Sequence, residues 1–209
     1  MDGDRIPRTR VDKFQERRAE LAEAALQTLA TLGYARTSLR EIAASSTFSH
    51  GLLHYYFADK FDLISCSVRQ YKARCVQRYD HVIDGASSGT DLMDGFLAAL
   101  AATVRDDATL HRLWYDLRAQ ALFTEELQAD VGDIDRRLEE MVWRVAARYG
   151  ELADEPVRMP SRVLYAAVDG LFQQALLRHL RGEQDAAGDL QEQVRWVIVE
   201  AVAAPLPVT

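Results

Sequence analysis

The chain has 209 residues, and its 48% hydrophobic and 27% charged residues are typical of a globular protein, which excludes global disorder. The stretch MDGDRIPRTRVDKF has no apolar segment of the secretory type, and no apolar run approaches the roughly 18 residues of a membrane helix. Cys66 and Cys75 form no CxxC motif, so we expect a reduced, cytoplasmic protein.

The hydrophobic residues recur with a helical period, without sustained apolar/polar alternation or an Asn-Gly hairpin, and this pattern predicts an all-α fold of about nine helices. The first helix ends before Gly33, a residue suited to the left-handed position after a helix. Ser38 and Glu41 have the spacing of a capping box that starts a short second helix. A third helix is predicted to begin near Ser49, and Asp59 is the predicted N-cap of a long fourth helix.

The second half of the chain continues the helical pattern. The GASSG stretch at residues 85–89 breaks the fourth helix, and Pro156–Pro160 is predicted to be a loop. No internal repeat of fixed period occurs, which argues against a helical solenoid. The later helices are predicted over about 90–105, 109–122, 125–149, 161–181 and 188–203.

Three short helices, of which the second and third are joined by a tight turn, predict a helix-turn-helix motif. The run TSLREIAASSTFSHGLLHYYFADK at residues 37–60 resembles the DNA-binding head of the TetR family of bacterial transcriptional regulators. The string GLLHYYFADK is similar to the BetI-like subgroup. The matching positions are Ile42-Ala43, the turn ending at Ser49, Gly51, Leu53, Tyr56-Phe57, and Lys60 followed by Leu63, with Gly33-Tyr34 and Thr37 upstream.

The resemblance implies a division of labour along the chain. Residues 1–58 are expected to be the DNA-binding domain, with residues 1–12 as a flexible arm, and residues 59–209 the ligand-binding and dimerisation domain. The expected protein is a homodimer that binds a double-stranded, pseudo-palindromic operator. It is expected to act as a repressor that a small-molecule effector releases, without a cofactor, a metal or a catalytic residue. The arm, with Arg5, Arg8, Arg10 and Lys13, either follows DNA or is a solvated tail.

The third helix has an apolar and a polar side. Leu53 and Phe57 are four residues apart and can face the core, which leaves His50 and His54 on the opposite side. Imidazole, phenol and guanidinium groups can donate hydrogen bonds to base edges or phosphates. The residues that match DNA-contacting positions of the family, together with a glycine that lets the backbone approach DNA, are Thr37, Ser38, Arg40, Ser49, His50, Gly51, Leu52, His54, Tyr55, Tyr56 and Lys60.

Two residues depart from the family pattern. Thr47 stands where the turn usually has glycine, and a β-branched residue is strained at a positive φ, so the turn is expected to be strained or rebuilt. Leu52 replaces a common threonine, which removes a hydroxyl and offers an apolar group to a thymine methyl. Both departures are expected to affect which operator sequence the protein binds.

The charge is distributed unevenly despite the net value of −7. Residues 1–78 contain 13 Lys and Arg against 9 Asp and Glu, whereas residues 79–209 contain 12 against 23. This asymmetry is expected when one end of a protein meets phosphate, although solvated helix faces carry similar runs.

Other functions have weaker support in the sequence. His50 and His54 have the spacing of two metal ligands on a helix, but without an intervening glutamate or an obvious third ligand they predict no metal site. Nucleotide-binding, hydrolase and metalloprotease motifs are absent, so no enzyme is predicted. The main alternative is an all-helical ligand-binding or adaptor protein whose head does not bind DNA.

The middle helices are rich in large side chains with polar tips, which suits an apolar pocket with a few polar groups. Each of these residues could equally be ordinary core. By position in the family, the candidates for the effector pocket are Tyr71, Tyr79, Met93, Phe96, His111, Trp114, Tyr115, Arg118, Phe123, Tyr165, Asp169 and Phe172.

The last two helices carry broad apolar faces that suit pairing in a four-helix bundle between two protomers. The alternative is a core within one chain. The candidates for the dimer interface are Leu164, Val168, Leu171, Ala175, Leu176, Val194, Val197, Ile198 and Ala201.

Overall fold

The computed structural model describes residues 10–33 and 37–203, and every regular element within them is an α-helix. The all-α fold of nine helices is therefore confirmed over these ranges. No helix in the described ranges has the length and apolar character needed to cross a membrane. The helices are α1 Arg10–Leu32, α2 Leu39–Ala44, α3 His50–Tyr56, α4 Lys60–Gly85, α5 Gly89–Asp106, α6 Ala108–Gln120, α7 Glu125–Ala153, α8 Ser161–Leu180 and α9 Ala186–Ala203.

The ends of the first helices are set by local signals. Gly33 follows α1 with φ of +76°, a conformation that glycine adopts without a Cβ penalty. The Ser38 Oγ accepts a hydrogen bond from the Glu41 backbone N–H at 3.2 Å and donates to the Glu41 carboxylate at 2.8 Å. At the start of α4, the Asp62 N–H donates to Asp59 Oδ1 at 2.9 Å. The predicted caps of α2 at Ser38 and of α4 at Asp59 are confirmed, but the Glu41 carboxylate returns to the Ser38 hydroxyl and not to its backbone N–H as in a capping box.

Helix α7 is longer than predicted, because it passes through Gly150 and ends at Ala153. A Cβ on Gly150 would lie 2.5 Å from the Glu155 carbonyl oxygen, so glycine is needed here for the close approach of the following loop. The turn falls instead at Asp154, which has φ of +57°. Gly150 thus lies inside the helix and allows the following loop to pack closely against it.

The predicted arm over residues 1–12 overlaps α1, since Arg10, Val11 and Asp12 are helical. The rest of the arm, with Arg5 and Arg8, lies outside the described residues, as does Tyr34.

The chain divides into two compact units by contacts. The first contains the residues up to Tyr71 together with Leu113–Gln128, and the second contains Lys72–Arg112 and the residues from Ala129 onward. Helices α4, α6 and α7 each contribute residues to both units. The functional boundary between residues 58 and 59 remains a prediction.

In the first unit, α1, α2 and α3 pack on one another around fully buried side chains that include Leu26, Ile42 and Leu53. Arg18 of α1 forms an ion pair with Asp62 and lies 5.1 Å from the centre of the Phe57 ring. Because Phe57 caps the C-terminus of α3, this contact fixes the end of α3 against α1. The first unit therefore holds α3 at both its core face and its end.

In the second unit, α5, α8 and α9 pack together. A polar network lies beside this core: the Tyr79 hydroxyl is 3.1 Å from Thr103 Oγ1, and Arg78 donates to Asp107 at 3.2 Å. Across the exposed side, Arg195 of α9 donates to Asp94 of α5 at 2.6 Å. These contacts attach α4 and α9 to α5, the helix against which α8 and α9 pack.

Candidate DNA-binding surface

Helix α3 has a buried and an exposed side, as the spacing of its apolar residues predicts. Leu53 and Phe57 are 0% and 1% exposed, whereas His50, Gly51 and His54 are exposed. The Ser49 Oγ accepts a hydrogen bond from the Leu52 N–H at 3.2 Å and so fixes the first turn. Leu52 is half-buried. The helix therefore presents short polar groups from a rigid base.

The turn between α2 and α3 is rebuilt around Ser46. Thr47 does not have a positive φ, since Asp154 is the only such non-glycine residue in the described ranges. The Ser46 N–H donates to the Ala43 carbonyl at 3.2 Å, and the Ser46 Oγ accepts from the Phe48 N–H at the same distance. These bonds close the turn without a left-handed residue, so the threonine does not strain the motif.

The two tyrosines at the end of α3 differ in burial. The Tyr55 side chain is 65% exposed, whereas Tyr56 is half-buried with its ring centroid 4.8 Å from that of Phe14 in α1. The Tyr55 ring lies edge-on to Phe14 at 6.0 Å. Tyr56 therefore belongs partly to the core and Tyr55 mostly to the surface.

The polar residues that flank α3 lie at helix starts. Ser38 caps α2, Arg40 is exposed in its first turn, and Lys60 is the half-buried first residue of α4. Thr37 is only 3% exposed, and its hydroxyl donates to the Gly33 carbonyl at 2.5 Å. The Thr37 hydroxyl therefore stabilises the α1–α2 connection, and its contact with DNA remains a prediction.

The predicted pocket residues fall in both units. Tyr79, Met93, Phe96 and Phe172 are buried in the second unit, where the Tyr79 and Phe96 rings are 5.4 Å apart. Tyr71 and Trp114 are buried in the first unit, with Tyr115 and Arg118 half-buried. Tyr165 and Asp169 are half-buried in the second, and the Tyr165 hydroxyl donates to Asp135 at 2.6 Å.

Phe123 is an exposed member of the predicted pocket set. It lies in the turn after α6 with 88% of its side chain exposed. A residue after the last turn of a helix no longer follows the helix's buried face, so the apolar period does not determine its direction. Phe123 therefore lines no enclosed cavity in the folded chain, and its place in the effector pocket remains a prediction.

A buried polar pair lies beside Phe172 and joins His111, a predicted pocket residue, to Lys72, which the sequence did not single out. The Lys72 Nζ is 3.1 Å from His111 Nδ1, and the two residues are 4% and 6% exposed. Burial, and then the charges of Lys72 and Arg78, hold the pKa of His111 well below its ordinary value, so the imidazole is neutral. Lys72 is a charged residue at a position where the helical period of α4 predicts an apolar one, and this exception was the signal in the sequence for a buried polar pair.

Of the nine residues that were assigned to the dimer interface, eight are buried within their own chain, Val197 at 6% exposure and seven others more deeply. The exposure of these seven is 0–4%, so their side chains are not available to a partner. Helices α8 and α9 pack on each other and on α5, and this packing uses the face that the periodicity indicated. The seven residues are Leu164, Val168, Ala175, Leu176, Val194, Ile198 and Ala201.

A different face of α8 and α9 carries an open groove of about 680 Å³. Leu171 and Val197, the other two predicted interface residues, line this groove. Trp196, 64% exposed, stands in it beside the small residues Ala167 and Gly170. An exposed tryptophan next to residues with little side-chain volume forms an apolar surface that another helix pair can approach closely.

The fold and the exposed helix define a helix-turn-helix protein with a helical body, and the comparisons with known proteins agree. The model of the family described as bacterial regulatory proteins, tetR family, matches residues 21–65. The regulator BetI of Stenotrophomonas maltophilia is 28% identical over 163 residues, which is 75% of this chain and 79% of that protein. The regulator TtgR of Pseudomonas putida is 27% identical over 200 residues, 89% and 90% of the two chains.

Solved structures share the fold over nearly the whole chain. A TetR transcription regulator from Haloarcula marismortui has a TM-score of 0.73 at 16% identity, covering 90% of this chain and 99% of that one. FadR from Bacillus subtilis, in complex with stearoyl-CoA, has a TM-score of 0.69 at 14% identity, covering 90% and 98%. Residues 21–65 are thus similar to the tetR family of bacterial regulatory proteins, and the chain as a whole has the fold of these solved regulators.

Proposed function

We propose that this protein is a cytoplasmic, homodimeric repressor that binds a pseudo-palindromic operator through α3 and is released by a small molecule. The observation that carries the proposal is the exposed side of α3. His50, His54 and Tyr55 project from a helix whose other side is anchored by Leu53 and Phe57. Such a helix can place donors and acceptors against base edges in the major groove.

The groups around α3 suit contacts with the DNA backbone. Arg40 is exposed on α2 and can pair with a phosphate or a guanine edge. Lys60 lies at the start of α4, where the free backbone N–H groups and the ammonium can hold one phosphate. A Cβ on Gly51 would meet no atom within 4 Å, so this position leaves open space through which the backbone can approach DNA.

The groove on α8 and α9 supports pairing with a second copy of the chain. One recognition helix covers few base pairs, and a two-fold dimer places a second helix on the matching half-site. Trp196 and the groove floor at Ala167 and Gly170 suit a partner that presents the same surface. The proposed interface is therefore the groove and not the face buried against α5.

Release by an effector requires unequal affinity for two conformations. A loss of operator affinity of about 100-fold needs about 2.7 kcal/mol of coupling. Helix α4 begins at Lys60, shortly after the predicted head, and continues into the second unit, so a ligand that shifts α4 can move α3. FadR of Bacillus subtilis holds stearoyl-CoA on the same fold, which supports a ligand-binding body.

The test is a gel shift with the protein's own upstream intergenic DNA across a salt series. We expect a discrete complex that competitor DNA does not remove and that weakens steeply with salt. Arg40→Ala and Lys60→Ala should each lower affinity and reduce the salt dependence by about one phosphate contact. Arg105→Ala is the matched control, because it removes the same charge from an exposed position of the second unit.

Gly51→Ala separates folding from binding. Alanine in a helix is favoured over glycine by roughly 0.5–1 kcal/mol, so the variant should be at least as stable as the parent. Its added methyl should nevertheless weaken the operator complex by filling the space between backbone and DNA. If all three variants bind like the parent, α3 does not face the DNA, and an adaptor whose head binds no DNA becomes the better explanation.

A further inference from the structure

The tips of two histidines on α3 converge in solvent. His50 and His54 are one helical turn apart, with their Nε2 atoms 3.1 Å from each other. Their ring centroids are 4.4 Å apart, and the ring planes are nearly perpendicular at 86°. Both side chains are exposed. The two Nε2 atoms are therefore close enough to reach one shared position outside the helix.

The separation of the two nitrogens suits a shared metal ion. With metal–nitrogen bonds of about 2.0–2.1 Å, a 3.1 Å separation gives an angle of about 95–102° at the metal. That angle lies between the values of octahedral coordination, about 90°, and of tetrahedral coordination, about 109°. Imidazole is a ligand that Zn²⁺, Cu²⁺ and Ni²⁺ accept readily. The pair can therefore chelate such an ion once the rings turn their Nε2 lone pairs toward it.

The metal would replace a hydrogen bond between the rings. In the neutral pair, one Nε2–H donates to the other Nε2. When a metal takes both Nε2 lone pairs, the donor ring must carry its proton on Nδ1, so only a change of tautomer is needed. Because no group of three or more metal-binding side chains occurs in the described ranges, water fills the remaining coordination positions.

We propose that His50 and His54 form a two-histidine site for a divalent transition-metal ion, and that the ion and operator DNA compete for these imidazoles. The first part stands on the geometry of α3 alone, and the competition rests on the proposed function. A bound ion occupies both Nε2 atoms, which then no longer reach the base edges, and it adds positive charge that any phosphate attracts. Metal loading therefore lowers the preference for the operator over other DNA.

The first experiment is calorimetric titration of the full chain, prepared without a polyhistidine tag, with ZnCl₂. We expect one ion per chain, and the same large loss of zinc affinity in His50→Gln and in His54→Gln, because a chelate needs both rings. His81→Gln, which removes an exposed histidine from α4, is the matched control and should bind like the parent. No binding by the parent, or unchanged binding by either single variant, would overturn the site.

The second experiment measures operator and competitor affinity in gel shifts with and without ZnCl₂. We expect zinc to reduce the preference of the parent and of His81→Gln for the operator about ten-fold or more, with recovery on adding EDTA. An unchanged preference at zinc concentrations that saturate the site refutes the competition. Failure of the zinc-free protein to bind any DNA counts against the proposed function, while the calorimetry still decides the metal site.

Discussion

His111 shows how one enclosed side chain links folding to pH. Burial, and then the charges of Lys72 and Arg78, hold its pKa well below the ordinary value. In the unfolded chain the imidazole is exposed to water, and it takes up a proton below about pH 6.5. The unfolded state therefore binds more protons than the folded state in acid, and the stability that a neutral His111 contributes is lost as pH falls below that range.

We predict that His111→Gln flattens the dependence of stability on pH. In the parent, His111 should contribute a loss of up to about 1.4 kcal/mol for each pH unit below about 6.5, and glutamine cannot take up this proton. The measurement is urea denaturation between about pH 7.5 and pH 5.5. His81→Gln, at an exposed position, should keep the parental slope. An identical slope in His111→Gln would show that His111 is not neutral in the fold.

At the scale of the element, local signals determined what could be predicted. The boundaries of α1 to α4 followed from Gly33, Ser38 and Asp59, because caps act through the adjacent backbone. The end of α7 did not follow, since the role of Gly150 depends on the approach of the Glu155 carbonyl. The direction of Phe123 also depends on packing beyond its own helix.

The turn before α3 gives a test of backbone strain within one element. Thr47 has no positive φ, so glycine at this position relieves nothing and only increases the freedom of the unfolded chain. We predict that Thr47→Gly lowers the free energy of unfolding by roughly 0.4–1 kcal/mol in urea denaturation. A gain in stability would mean that the turn adopts a left-handed conformation after all.

Gly182→Ala tests a turn that does need glycine, and its effect is also measured by urea denaturation. Gly182 has φ of +87°, and a Cβ there would meet no atom within 4 Å, so the cost of alanine comes from the backbone alone. The expected loss is about 1–2 kcal/mol. Together the two variants distinguish a turn that needs glycine from a turn that is closed without glycine, by the side-chain hydrogen bond of Ser46.

At the scale of the whole molecule, the sequence left the assignment of faces on α8 and α9 open. Both helices are apolar on more than one side, and periodicity alone does not tell which side faces α5 and which faces a partner. The folded chain buries the side that includes Leu164 and Ile198 and leaves Trp196 exposed. The position of the groove could therefore be determined only from the structure, in which α5 packs against the other side of α8 and α9.

We predict that Trp196→Glu converts the protein from dimer to monomer and abolishes high-affinity operator binding. Two charges would enter an apolar interface related by two-fold symmetry, and loss of a central tryptophan typically costs about 2 kcal/mol or more. Sedimentation equilibrium and the operator gel shift are the measurements. Phe123→Glu is the matched control, since it places the same charge on an 88% exposed aromatic outside the groove and should leave the dimer intact. A dimeric Trp196→Glu would place the interface elsewhere, whereas a monomer that still binds the full operator tightly would show that pairing in solution is not what brings two α3 helices to the DNA.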